Sequence, residues 1–195
     1  MDQSAITIKD TSANPAPLGL FGFGMTTVLL NLHNAGIFEM NSMILAMGIF
    51  YGGIAQIIAG ILESKKNNTF GMTAFISYGF FWLTLVGLIV MPKLGWIPAA
   101  SNGAMVAYLI IWGIFTFLLF LGTFKISRIL QFIFGSLTLL FFLLAAGDAT
   151  GNESLKTFTG YEGIVCGASA IYAAIAGILN ELHGRIVLPI GAVSK

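Results

Sequence analysis

Residues 104–124 read AMVAYLIIWGIFTFLLFLGTF, an apolar run without one charged side chain. About 20 such residues are needed for a helix to cross the roughly 30 Å hydrocarbon core of a bilayer. The run is apolar on all sides, whereas the strands of a transmembrane barrel alternate in polarity. Lipid offers no hydrogen-bond partner to the backbone, so a helix must satisfy its own backbone groups. This stretch therefore predicts a transmembrane helix.

Five further runs of the same kind are separated by polar and charged clusters. Of the 195 residues, 57% are hydrophobic and 9% are charged, whereas a soluble domain carries about 25% charged residues. This composition excludes a water-soluble monomer and predicts an all-α integral membrane protein. We expect six transmembrane helices around a pore within each subunit, at Leu18–Asn34, Met43–Leu62, Phe70–Val90, Ala104–Phe124, Ile129–Gly147 and Gly160–Leu182.

The polar residues before the first span contain no apolar core of a cleaved signal peptide, so we expect this span to insert as a signal anchor. The predicted organisation is a polar tail at 1–13, a transmembrane domain at 14–191 and a second tail at 192–195. Lysine and arginine concentrate on cytoplasmic loops of membrane proteins. The side that includes both termini carries seven of the nine, and the opposite side carries only Lys93 and Lys156. Both termini are therefore predicted to be cytoplasmic.

Several function classes are disfavoured by what the chain contains. A net charge of +1 without a basic patch argues against a nucleic-acid partner. The single cysteine, Cys166, excludes an intramolecular disulfide and a cysteine-rich metal site. The chain has no GxSxG, HExxH, CxxC or GxxxxGK[ST] motif. His33 and His183 lie near the ends of different spans, without supporting carboxylate spacing. We therefore expect no enzyme, no cofactor and no metal.

The charged residues near the spans are predicted to mark helix ends rather than the membrane interior. A charge within the hydrocarbon core is costly and usually functional. With none predicted at mid-membrane, the sequence does not support a buried carboxylate relay or a carboxylate-lined cation pathway. The assignment places Glu63, Glu181 and Arg128 at cytoplasmic ends, and Glu39, Asp148 and Glu162 at outer ends.

Uncharged polar residues do recur inside the spans. Phe23, Thr27 and Asn31 are four residues apart, so they share one face of the first helix. Two interpretations remain open, namely isolated hydrogen bonds between helices and a shared polar path. The other members of this set are Thr26, Asn34, Gln56, Ser77, Tyr78, Gln131, Ser136, Thr138, Ser169, Tyr172 and Asn180.

The first span begins unusually, with NPAPLGLFGFG at residues 14–24. Proline suits the first turn of a helix, and Asn14 is placed to cap that turn. A helix N-terminus attracts anions, and broken helices of transporters use such ends to bind carboxylates. The alternative is a plain proline-initiated helix whose glycines serve packing.

Small residues recur about every four positions in the second and sixth spans, for example Gly48 with Gly52 and Gly163 with Gly167. This spacing lets membrane helices approach closely. Packing within one subunit and packing between subunits both remain open, and Cys166 is interpreted as a small packing residue.

The residues quoted above also carry a resemblance. The stretch from Asn14 to Leu20, with the later Thr26, Thr27 and Asn31, is similar to the signature of the acetate uptake transporter family, which includes the bacterial succinate–acetate permeases. Three later stretches agree, namely MGIFYGG at 47–53, SYG at 77–79 and CGASAIY at 166–172. The similarity extends over about Asn14–Gly191.

The resemblance implies a homo-hexamer in the inner (plasma) membrane, each subunit with its own pore, and transport of acetate, other short monocarboxylates and succinate. Transport is expected to be coupled to protons, with a channel-like mechanism as the alternative. The family's hydrophobic constriction corresponds to Phe23, Tyr78 and Leu137, and Ala170 to a position associated with substrate size.

Acetate joins a carboxylate to a methyl group, so its site should combine hydrogen-bond donors with an apolar wall. The expected donors are the start of the first helix, Thr26, Thr27, Asn31 and Gln56, and the motif residues Asn14, Pro15, Leu18 and Gly19 belong to the same predicted site. Glu181 and His183 are candidates for proton handling, because histidine titrates near neutral pH. A pore for water or ammonia and a non-transporting membrane scaffold or sensor are the other classes that remain open.

Overall fold

The computed structural model describes residues 12–193, and within this range the chain forms six helices joined by short loops. Each is long and apolar enough to cross a membrane, which confirms the predicted all-α membrane fold. Most of the predicted tails, residues 1–11 and 194–195, lies outside the described residues. The helices are α1 Ala16–Asn34, α2 Ser42–Lys65, α3 Thr69–Lys93, α4 Asn102–Thr123, α5 Arg128–Thr150 and α6 Glu153–His183.

The loop residues that flank the helices explain where each helix begins and ends. Asn68, Ser101 and Asn152 directly precede α3, α4 and α6, and each side chain accepts a backbone N–H of the first turn. Such caps satisfy amide groups that lack an intrahelical partner. Gly151 and Gly184 end α5 and α6 with φ of 64° and 60°, a left-handed conformation that glycine adopts without strain.

The sixth helix begins earlier than predicted, at Glu153 rather than Gly160. Its first turns carry charged and polar residues, so a prediction based on apolar runs did not include these turns. Glu162 consequently lies about 14 Å along α6, at 1.5 Å per residue. There its carboxylate accepts a hydrogen bond from Ser136 of α5 at 2.5 Å. The prediction that Glu162 marks a helix end was therefore wrong.

Helices α1 and α6 pack with their backbones in contact. A Cβ added to Gly24 would lie 2.7 Å from the carbonyl oxygen of Gly167, and one added to Gly167 would lie 2.7 Å from that of Gly24. Gly48 and Gly52 of α2 similarly face Trp82 of α3. These glycines therefore pack helices within one subunit, as one of the two interpretations predicted.

Helix α2 is not a regular α-helix throughout, because Met47–Ala55 is π-helical. The segment faces α1, where the hydroxyl of Thr26 donates to the Met47 carbonyl at 3.5 Å. π-Helical turns are rare and often occur at functional sites. In this protein the segment brings α2 against α1 beside the residues described next.

We call the end of the bundle where α1, α3 and α5 begin the inner end, and the opposite end the outer end. After α6 the chain returns along the inner end to the start of α5, where the backbone N–H of Arg128 donates to the Gly191 carbonyl at 2.8 Å. Asn180 binds this returning segment through Val187 and Leu188, with three hydrogen bonds of 2.7–2.9 Å. The polar side chain of Asn180 thus fixes the C-terminal segment.

Candidate functional site

Four cavities follow one another from the inner end of the bundle to its outer end. Their volumes are about 130, 20, 30 and 280 Å³, and we number them cavities 1 to 4 in this order. Cavities 1 and 2 share four lining residues, and cavities 3 and 4 share Leu144. The shared residues of cavities 1 and 2 are Leu20, Ala74, Phe75 and Phe134, and together the four cavities form an interrupted path through the subunit.

A wall of three side chains interrupts this path between cavities 2 and 3. Phe23 of α1, Tyr78 of α3 and Leu137 of α5 line both cavities, and no other lining residue is common to the two among the described residues. All three are buried, and the Phe23 and Tyr78 ring centroids are 6.0 Å apart. Cavities of 20 and 30 Å³ hold about one or two water molecules each. The wall is therefore closed to larger solutes in this conformation.

The position of Tyr78 within the wall is fixed from the side of α4. Its hydroxyl donates to the hydroxyl of Thr116 at 3.0 Å, and Thr116 in turn donates to the Trp112 carbonyl at 2.7 Å. The Tyr78 ring also lies 5.7 Å from the ring of Phe115, edge to face. Because its hydroxyl is bonded to α4, Tyr78 presents the apolar face of its ring to the path.

Polar side chains flank the wall on both sides. Gln56 lines cavity 2, and Thr27, Asn31 and Trp82 line cavity 3 together with Phe23. Phe23, Thr27 and Asn31 therefore share one face of α1, as their spacing predicted. Gln56 Oε1, Thr27 Oγ1 and Trp82 Nε1 are buried without a hydrogen-bond partner. Buried polar atoms nearly always have a partner, which can be a protein group or an ordered water, so these three atoms are available to a water or a polar solute.

The first turn of α1 lies at cavity 1, with Ala16 and Leu20 in its lining. Asn14 Oδ1 accepts the backbone N–H of Ala16 at 3.1 Å, which confirms the predicted capping. Pro15 is buried and Leu18 is exposed, and neither lines any of the four cavities. Gly19 is pressed against the Phe75 ring, 2.6 Å from where its Cβ would be.

Four further predicted site residues also lie away from the path. Thr26 is buried between α1 and the π-helical segment, and Ala170 is buried within the core, but neither lines any of the four cavities. Glu181 and His183 are exposed at the inner end of α6 and also line none of them. Their predicted roles therefore require an action other than direct contact with the cavities.

Two charged residues that the sequence analysis assigned to helix ends instead line cavities. Glu63 is 3% exposed and lines cavity 1. Asp148 lines cavity 4 together with His33 and an ion pair in which Lys156 Nζ lies 2.9 Å from Glu153 Oε1. The sequence analysis did not identify these two residues as cavity-lining. A charged residue near a helix end gives the same sequence pattern whether it faces solvent or the mouth of a cavity. Within residues 12–193, no three metal-ligating side chains converge on one point.

These features define a multi-pass membrane protein whose interior holds a candidate path for a small solute, closed at its centre by an apolar wall. Residues 2–194 match the GPR1/FUN34/yaaH family. The chain belongs to this family.

Comparison with individual proteins agrees with this assignment. The chain is 62% identical to the succinate-acetate/proton symporter SatP of Escherichia coli K12, over 92% of this chain and 95% of that protein. The solved structure of the bacterial acetate channel SatP superposes with a TM-score of 0.91 at 61% identity, over 93% of this chain and 100% of the other. The ammonia transport outward protein 2 of Saccharomyces cerevisiae is 38% identical, over 90% of this chain and 65% of that protein.

Proposed function

We propose that the protein transports acetate and other short carboxylates, including succinate, together with protons across the inner (plasma) membrane. The observation that carries this proposal is the wall of Phe23, Tyr78 and Leu137 between two small cavities with unsatisfied polar atoms. An apolar constriction excludes hydrated ions, since passage requires loss of their water. The names of the relatives in the family support acetate and succinate as substrates.

The chemistry of acetate fits the two sides of the wall. Its carboxylate accepts hydrogen bonds, which Thr27 Oγ1 and Trp82 Nε1 are free to donate at cavity 3. Its methyl group suits the apolar ring of Phe23 and the side chain of Leu137. The unpartnered atom of Gln56 at cavity 2 is Oε1, which accepts hydrogen bonds and so suits the hydroxyl of a protonated carboxylic acid. The assignments of Asn14, Pro15, Leu18, Gly19, Thr26, Asn31 and Ala170 to substrate binding, and of Glu181 and His183 to proton handling, remain predictions from the sequence.

The test is uptake of labelled succinate into liposomes with and without the purified protein, across an inward proton gradient. Succinate crosses bare lipid far more slowly than acetic acid does, so the empty-liposome control is clean. We expect protein-dependent uptake that excess acetate suppresses and that collapses when the gradient is abolished. Absence of any protein-dependent succinate or acetate flux would refute the proposal.

The second candidate function is a channel-like pore without proton coupling, for the acetate anion, ammonia or water. The name of the yeast relative, an ammonia transport outward protein, favours including ammonia. Uptake that acetate suppresses but that ignores the proton gradient would identify a carboxylate channel. Suppression by ammonium and not by acetate would identify an ammonia pore.

We also propose that the protein is a homo-hexamer in the bilayer with both termini cytoplasmic. The orientation is supported by the excess of lysine and arginine at the inner end. Native mass spectrometry of the detergent-extracted protein tests the subunit number. A reporter fused to each terminus tests the orientation, and a terminus accessible only from outside the cell would contradict it.

A further inference from the structure

We propose that Glu63 couples the passage of carboxylates to protonation, by blocking cavity 1 when ionised and admitting substrate when protonated. The inference rests on the proposed function, because it assigns a residue to its proton coupling. It also differs from the sequence-based candidates Glu181 and His183, which are exposed and line none of the four cavities. The proposal depends on the burial of Glu63, its hydrogen bond and its place on the path.

Glu63 is held inside the protein rather than in water. Its side chain belongs to the last turns of α2 and is 3% exposed. Asn68 Nδ2 donates to Glu63 Oε2 at 2.7 Å, and Asn68 Oδ1 accepts the backbone N–H of Gly71 at 3.0 Å. Gly71 leaves room for this arrangement, because a Cβ there would lie 3.1 Å from Glu63 Cδ. The cap of α3 thus fixes one carboxylate oxygen.

The position of Glu63 places it before the wall on the inner side of the path. It lines cavity 1, which shares four lining residues with cavity 2, and cavity 2 ends at Phe23. A carboxylate that moves along this path therefore passes Glu63 in cavity 1. The start of α1 lines the same cavity through Ala16, whose backbone N–H is bonded to Asn14 Oδ1. The helix dipole rather than a free amide group therefore attracts an anion there.

Glu63 is the one titratable residue that lines cavity 1 among the described residues. The charged and titratable residues near the inner ends of the helices do not line it. They are Lys65 and Lys66 on α2, Lys125 and Arg128 at the α4–α5 corner, Glu181 and His183 on α6, and Arg185 directly after α6. Of the residues that the structure describes, Glu63 is therefore the one whose titration changes the charge inside cavity 1.

The effect follows from the electrostatics of like charges. An ionised Glu63 interacts favourably with the positive end of α1 and repels a second carboxylate in the same buried space. Because Asn68 occupies Oε2, the proton binds at Oε1. Once that proton is bound, the repulsion disappears and the positive helix end is available to the substrate. Release of the proton to water at the inner end restores the block, so the access of substrate to cavity 1 follows the protonation of Glu63.

The test compares the wild type with Glu63→Gln in liposomes at equal pH on both sides, using labelled succinate. Glutamine retains an oxygen for Asn68 and is neutral at every pH, so it reproduces the protonated form. Titration of succinate itself is identical for both proteins and cancels in the ratio of their fluxes. We expect equal fluxes at acidic pH and a wild-type flux that falls below that of Glu63→Gln as the pH rises. One proton limits the change in this ratio to about tenfold per pH unit.

Glu39→Gln is the matched control, since it removes an exposed carboxylate that lines none of the four cavities. Its flux ratio to the wild type is expected to stay constant with pH. A constant ratio for Glu63→Gln, with measurable wild-type flux, would overturn the inference and leave the proposed function standing. No flux from the wild type at any pH would overturn both.

A second variant keeps the inference testable if Glu63→Gln does not fold. Asn68→Ala removes the donor to Oε2 and leaves the carboxyl group in place. Without this donor Oε2 is no longer held in place, so we expect the pH at which flux is half-maximal to differ from that of the wild type. An unchanged half-maximal pH in folded Asn68→Ala would contradict the proposal.

Discussion

Removal of the Phe23 ring is expected to open the wall and relax the size limit of transport. The ring borders cavities of about 20 and 30 Å³, so Phe23→Ala joins them into one larger cavity. Truncation of a buried phenylalanine destabilises a protein by about 3–5 kcal/mol. Because the ring already borders two voids, we expect the lower end, about 3 kcal/mol. For a chain of this length, that corresponds to a decrease in Tm of roughly 6–12 °C.

The effect on transport follows from the discrimination that a close-fitting wall provides. One methylene group is worth about 1–3 kcal/mol in a fitted apolar site, which is tenfold or more in rate. The ratio of propionate to acetate uptake is therefore expected to rise by about tenfold in Phe23→Ala. The measurement is protein-dependent uptake of both labelled acids into liposomes, with the flux into empty liposomes subtracted.

Phe75→Ala provides the matched control for this prediction. Phe75 is also buried and lines cavities 1 and 2, but it does not line cavity 3. Its truncation enlarges the inner part of the path without opening the wall, so the propionate-to-acetate ratio should remain at the wild-type value. An unchanged ratio in folded Phe23→Ala, or an equal increase in Phe75→Ala, would refute the role of the wall.

Three further predictions concern the packing that holds the path. Gly167→Ala forces apart the backbones of α1 and α6 and should destabilise the protein by about 1–3 kcal/mol. Gly103→Ala, with open space around its Cβ, should leave the Tm unchanged. Equal Tm values for the two variants would contradict the close contact between α1 and α6. Tyr78→Phe removes one buried hydrogen bond, so we expect a loss of about 1 kcal/mol with acetate uptake retained, and abolished uptake would show that the hydroxyl itself serves transport. Asn180→Ala removes three hydrogen bonds to the C-terminal segment, which limited proteolysis should detect as faster cleavage after α6.

The sequence predicts most of the helices, because a bilayer imposes length and hydrophobicity on each span directly. The start of α6 was not predicted, because Glu153 and Lys156 interrupt the apolar run although they belong to the helix. The π-helical segment of α2 also escaped, because its residues are as apolar as those of the regular helix around it. Where the structure departs from the predicted spans, hydrogen bonding and contacts between helices decide the result.

The candidate site was predictable where residues share one helix and less so where distant helices converge. The four-residue spacing of Phe23, Thr27 and Asn31 predicted their common face, and the structure places all three at cavity 3. Glu63 was assigned to a solvated helix end, because its burial depends on the cap of the following helix. Such burial arises only when separate elements meet, and no local pattern indicates it.

The contact between Gly24 and Gly167 also affects the order in which the protein can be completed. These residues are about 143 positions apart, which a ribosome takes roughly 7–30 s to synthesise at 5–20 residues per second. Of the six helices, α1 is made first, yet it has its most extensive packing with α6, which is made last. During this interval the glycine face of α1 lacks its partner, and the wall at Phe23 cannot yet be fixed. A chain that stops before α6 therefore leaves α1 in the membrane without the helix that it packs against most extensively.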